Sequence, residues 1–350
     1  MLDQSWLETS DVNIAQFMDD VFKMDQSALD KLNDDYVLRA KIMQATRTAI
    51  AEAENNPDAA DQMQSALANF FDYQFAVPAS EKAGRFFGGL PTDVASELMR
   101  GLFAQEDAYL DAEILATMPR DGTEYVTWLR KQIQSHRVYT HPIYEPFLTK
   151  EATRENLKYF FAQETTLDPK FDDCLALMQL GTAGVTKLEI AHNYWDEMGN
   201  GKPEEVHTTL FKHLIDELEI TPAYVNETLS TLSKSSGNLS AGVCFEREHF
   251  YKAIGYFGVS EYLAPSRFKK ILRGFERLGF SDRANVYHDL HISVDTGHAQ
   301  GWFNNVVAPL VTESEAAAKE IARGAFYRLN NSVRYLDSAL AHMKAMNDGK

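Results

Sequence analysis

The chain has 350 residues, 45% hydrophobic, 24% charged and 11% aromatic. That composition excludes a largely disordered chain, a collagen-like chain and a small disulfide scaffold. Lys and Arg number 34 against 51 Asp and Glu, a formal net charge of −17, and this field repels both a phosphate backbone and an anionic lipid surface, so neither nucleic acid nor membrane is an expected partner.

Helical spacing is first clear over 36–54, where Val37, Leu38, Ile42, Met43 and Ile50 alternate with Ala45, Ala49 and Ala51. The same pattern runs through 59–75 and 121–138. A stretch with two prolines at 139–149 then marks a boundary, which divides an N-terminal helical extension (1–140) from a main domain (141–350). Further helices are expected over 144–163, 172–198, 203–219, 240–257, 266–279, 283–303 and 313–346. Asp282 reads as an N-cap, and Pro203 and Pro222 as residues near helix starts. The Ser-rich run 230–240 reads as a polar loop. No segment alternates as a strand does, so the fold class is all-α. Residues 1–6 carry no basic or apolar targeting region, and no run approaches the ~18 apolar residues of a membrane span. Cys174 and Cys244, far apart and without C-x-x-C, read as buried thiols of a cytoplasmic protein.

The residues able to carry chemistry lie in the second half. His291, Asp295 and His298 are spaced i, i+4 and i+7, within about 40° of one another around a helix axis, so three metal-capable side chains share one stripe. Imidazole with carboxylate suits iron, manganese or zinc, and a helical site draws its other ligands from facing helices. Upstream, Glu197 should end one helix while His207 lies in the first turns of the next, because residues 199–203 break helical continuity. Glu204, three residues before His207, competes with Glu197 for the ligand role. Glu189 and His192 form another E-x-x-H pair. Glu261 follows an aromatic, glycine-bearing apolar run, where a buried carboxylate needs a cation or hydrogen-bond donors. His249 and His288 are further histidines near these segments, with His288 off the stripe. Tyr194, Trp195, Tyr251, Tyr256, Phe257, Tyr262, Tyr287 and Trp302 surround the candidates, as core residues or as pocket lining. The glycine-bearing run 84–89 has no strand before it and does not read as a phosphate loop.

Taken in order, Glu197, His207, Glu261 and the H-x-x-x-D-x-x-H of His291, Asp295 and His298 resemble the ligand set of the haem-oxygenase-like diiron oxidases and oxygenases, the iron-containing redox enzymes. The resemblance covers roughly residues 150–310. It implies a haem-oxygenase-like helical bundle in which these six residues hold two Fe2+ ions. Glu164 and Glu204 are additional candidates, Glu164 as an extra carboxylate from the first core helix. It points away from haem, which members of this fold bind through a different histidine. It further implies O2 as cosubstrate and a small organic metabolite as substrate, with an amino acid or amine favoured. The outcome would be N-oxygenation, C–H oxidation or oxidative cleavage. An external electron donor and a homodimer are also expected. The rival readings are a non-redox, thiaminase-like enzyme and a non-catalytic metal-binding protein on the same fold.

Overall fold

The computed structural model describes residues 12–85 and 88–348. The chain start at 1–6 lies outside them, as do Phe86 and Phe87 of the glycine-bearing run. The described residues are helical, with no strand among them. They form two compact units: residues 1–105 with 237–239, and residues 106–236 with 240–350.

The first unit contains α1 (Ile14–Val21), α2 (Gln26–Asp34), α3 (Tyr36–Glu52), α4 (Pro57–Gln74) and α5 (Leu90–Asp107), whose last two residues belong to the second unit. Short polar side chains set the starts of these helices. Asn13, Asp25, Asp35 and Asn56 each accept a hydrogen bond from an amide of the first turn, and Pro57 follows its cap where no amide is needed. Phe22 stacks on Tyr73 at 4.4 Å between ring centres, above a core that includes Phe17, Met63, Leu67 and Phe70.

The second unit continues with α6 (Ala112–Ala116) and α7 (Gly122–Ser135), then α8 (Arg154–Glu164), α9 (Phe171–Met178), α10 (Gly184–Glu197), α11 (His207–Glu217) and α12 (Pro222–Thr228). After these come α13 (Thr231–Phe245), α14 (Phe250–Leu278), α15 (Asp282–Gly301), α16 (Ala308–Glu313) and α17 (Glu315–Asp348). α14 packs along both α15 and α17, and α15 also meets α11. The backbones of α14 and α17 touch at two glycines. A Cβ on Gly255 would fall 1.9 Å from the Ile321 carbonyl, and one on Gly324 would fall 1.9 Å from the Lys252 carbonyl. Residues 106–140, grouped with the extension in the sequence reading, lie in this second unit. The proline-bearing stretch runs into an irregular helical segment, Ile143–Glu151, whose Ile143, Tyr144, Phe147 and Leu148 are buried.

Several element boundaries differ from expectation. Residues 230–240 are not a loop but the first part of α13. Ser230 caps that helix, and its Ser233 hydroxyl donates to the Gln163 carbonyl at 3.0 Å, so buried partners satisfy groups that read as solvent-seeking. The break expected between 257 and 266 is absent, because α14 runs straight through Pro265. The N-cap of α15 is Ser281, whose hydroxyl accepts from the Ala284 amide, and Asp282 is the first helical residue. The segment 172–198 divides at a turn where Gly181 takes φ +76°, a left-handed conformation that costs glycine little. Helices α1, α2, α5, α6 and α12 lie outside the expected segments, although α1 and α2 are strongly amphipathic.

Candidate metal centre

Glu197 is the last residue of α10 and His207 the first of α11, separated by a tight turn with three positive-φ residues, Gly199, Asn200 and Gly201. A Cβ on Gly199 would fall 2.5 Å from the Glu205 carbonyl carbon, so that turn closes backbone on backbone. It returns the chain such that Glu197 Oε2 lies 2.7 Å from His207 Nδ1. His291, one helical stripe along α15, places its Nε2 3.9 Å from Glu197 Oε1, with its ring centre 4.3 Å from that of His207. On the same stripe, His298 Nδ1 lies 3.5 Å from Glu261 Oε2 and 3.7 Å from Asp295 Oδ1. Glu261 comes from the middle of α14, not from a helix end.

The six residues therefore form two triads, Glu197–His207–His291 and Glu261–Asp295–His298. Within each, one donor atom per residue lies within 4.8 Å of the others, and all six side chains are buried. The two triad imidazoles of α15 are oriented by acceptor-only partners. His291 Nδ1 meets the Tyr287 carbonyl at 2.5 Å, so that nitrogen carries the proton and Nε2 offers a lone pair to the first triad. His298 Nε2 donates to Asp196 Oδ2 at 2.8 Å, which turns Nδ1 toward the second triad. His207 Nδ1 and His298 Nδ1 are both sealed from solvent, and neither has a contact with hydrogen-bond geometry. Buried ring nitrogens facing carboxylate oxygens need a proton or a metal cation between them, and a bound metal would take the place of that proton. Burial pushes the Asp295 carboxyl well above its ordinary range, with the Glu261 charge adding to it, and burial also raises Glu261, with the Glu197 charge adding there. Burial also drives His291 down to about 4. For His298, burial acts downward, but Glu261, Asp196 and Asp295 outweigh it and raise the ring to about 10. Three carboxylates and three imidazoles so placed fit two divalent cations with mixed nitrogen and oxygen ligands.

The other candidates fall away from the triads. Glu204 is exposed, which separates it from Glu197. Glu189 accepts from Asn305 at 2.7 Å and lies against Gly301, a structural contact, while His192 is exposed and 3.6 Å from Asp196. His249 sits at the start of α14 beside Glu248. His288 is buried among Phe161, Phe268 and Phe275 and lines the adjoining cavity. Glu164 lines that cavity too and accepts from Tyr335 at 2.5 Å. Of the aromatics, Tyr256, Phe257 and Trp302 are core, Tyr287 lines the cavity, and Trp195 and Tyr251 are exposed. Cys174 and Cys244 are buried free thiols.

Sequence reading missed Asp196, Asp168 and two arginines on the cavity, Arg267 and Arg328. Asp196 stands beside Glu197 in a run already singled out, and its adjacency was the one available signal. The cavity encloses about 690 Å³ not filled by atoms, its mouth included, and reaches Glu197, Glu261, His291 and Asp295.

The sequence profile of the iron-containing redox enzymes matches residues 158–332, half of the chain and the whole of both triads. The chain belongs to this family. As a member of the iron-containing redox enzymes it is an all-α oxidoreductase, and iron is the metal its centre is to be measured against. It is also similar to the 4-chloro-allylglycine synthase of Streptantibioticus cattleyicolor, with 26% identity over 215 residues, 61% of this chain and 82% of the relative. No described helix is long and apolar enough to cross a membrane.

Proposed function

We propose that the chain is an O2-dependent, non-haem diiron oxidoreductase acting on a small amino acid or amine. The observation that carries this reading is the pair of buried triads opening onto one cavity. Glu197, His207 and His291 would hold one iron, and Glu261, Asp295 and His298 the other. Iron bound there would supply the electrons for O2 reduction. The protein's own part is to orient and to exclude water. The Tyr287 carbonyl and Asp196 fix the two α15 imidazoles. Phe161, Phe268 and Tyr287 wall the cavity against bulk solvent. An amino acid is favoured because the relative named above makes one. An external electron donor and a homodimer enter this proposal from the sequence resemblance alone.

The test mixes anaerobic, Fe(II)-loaded protein with O2 in a stopped-flow absorption instrument, wild type beside His298→Ala, with iron content measured on the same samples. The reading expects two irons per chain and a transient visible band in wild type only, with or without added amino acid. Wild type that takes up no iron sinks it.

A further inference from the structure

We propose that Arg267 and Arg328 bind the carboxylate of the substrate, which selects an amino acid over a simple amine; this rests on the reading of the site given above. Arg267 lies on α14 and Arg328 on α17, and both line the cavity that reaches the triads. Arg328 is only 8% exposed. The Nε and Nη2 of Arg267 and the Nε of Arg328 are sealed from solvent and have no hydrogen-bond partner among the described residues. The one bond the pair makes is long, Arg328 Nη1 to the Tyr256 hydroxyl at 3.4 Å.

Other arginines of this unit have acidic or carbonyl partners, although Arg334 Nη1 and Arg130 Nε are also left without one. Arg334 pairs with Glu106, Arg323 with Asp107 and Glu320, and Arg277 donates to the carbonyls of Leu148, Thr149 and Ala152. Glu164 offsets part of the charge of both arginines, and each guanidinium lies over a ring, Arg267 on Tyr144 and Arg328 on Tyr256, both at 5.3 Å. Their sealed N–H donors still have no acceptor, which is costly, and a ligand carboxylate supplies one because its two oxygens match the guanidinium fork.

The surrounding wall suits the rest of an amino acid. Glu164 and Asp168 face the same cavity, two carboxylates that an α-ammonium group can bridge. Phe161, Phe268 and Ile271 offer an apolar track for the side chain. A second, narrower pocket shares Tyr144, Glu164, Leu167, Arg267 and Arg328 with the first, so the arginines stand where the two spaces meet. Bound there, the head group leaves its side chain directed along the wall that continues to Glu197 and Glu261.

The test uses iron-loaded protein and calorimetric titration with three matched pairs: L-lysine and cadaverine, L-norleucine and pentylamine, L-phenylalanine and phenethylamine. At least one amino acid should bind, its decarboxylated partner should bind at least about tenfold more weakly, and Arg267→Met should cost about 10- to 100-fold in affinity at unchanged iron content. Arg267→Lys should recover part of the loss, since it restores charge without the fork. Arg328→Met, judged only if its thermal unfolding stays cooperative, should behave as Arg267→Met does. Binding of an amine as tight as its parent amino acid, binding of none of the three amino acids, or affinity untouched in Arg267→Met overturns the proposal. Iron content separates the two readings. Protein that loads iron but shows no arginine-dependent discrimination sinks the carboxylate subsite alone. Protein that binds the amino acid through Arg267 yet takes up no iron sinks the diiron centre and leaves the subsite.

Discussion

At the residue scale, the centre depends on groups that aim its ligands as much as on the ligands. Asp196 holds His298 in the tautomer that frees Nδ1. Asp196→Asn, which can present an amide where an acceptor is needed, should weaken iron binding about 10- to 100-fold while the fold persists; competitive titration against a colorimetric Fe(II) chelator reads this directly. The competing glutamates separate as sharply. Glu197→Gln should lose about half of the bound iron, whereas Glu204→Gln, at an exposed position, should keep wild-type stoichiometry by metal analysis. The α15 stripe was legible in the sequence because helical spacing fixes which side chains share a face. Asp168, Arg267 and Arg328 were not, because nothing in the spacing of α14 and α17 says that those positions meet over one cavity.

At the element scale, the contact between α14 and α17 is set by absent side chains. Gly255→Ala and Gly324→Ala each push a methyl group into a facing carbonyl, and each should destabilise by about 1–3 kcal/mol. Gly297 is the contrast: it lies in α15 beside His298, yet its Cβ would meet open space. Gly297→Ala should stabilise by about 0.5–1 kcal/mol, through helix propensity alone. Thermal unfolding of the three variants side by side checks both signs. Long, periodic helices such as α3, α4 and α15 were readable within a few residues. α13 was not, because its serines count as polar in sequence although they are buried, Ser233 with its hydroxyl donated to the Gln163 carbonyl. α14 continues where a break was expected between 257 and 266; Pro265, a local stop signal, lies inside it, and packing on α15 and α17 overrides that rule.

At the scale of the whole molecule, stability is tied to both metal and protons. Three buried carboxylates without cations oppose folding, and cations that bind only the folded chain stabilise it by about 2.7 kcal/mol at a hundredfold excess over Kd. Removing iron with a chelator should therefore lower the unfolding temperature, and Fe(II) should restore it. Protons act through His141, whose ring is wholly buried with Nε2 3.0 Å from Asp337. Burial holds its folded pKa below the ordinary 6.5, with Asp337 opposing in part. The unfolded chain thus takes up the proton first as pH falls. The stabilisation is complete above about 6.5 and is lost on acidification toward the lower folded value. Unfolding temperature should drop between pH 7.5 and 5.5, and His141→Gln should narrow that drop. His136, lowered by its own burial, contributes in the same direction.

The opposed orientation of the two α15 histidines reaches beyond ligand geometry. His291 keeps its ring proton on a carbonyl of its own helix, in the protein interior. His298 keeps its proton on Asp196, whose side chain is 18% exposed. One imidazole is isolated from the solvent, and its proton leaves only when the helix opens. The other is wired to the surface through a single carboxylate. In heavy water the two hydrogens of one metal centre would thus be replaced on separate clocks, His298 first. The centre has one dry side and one side that reads the isotopic composition of its surroundings.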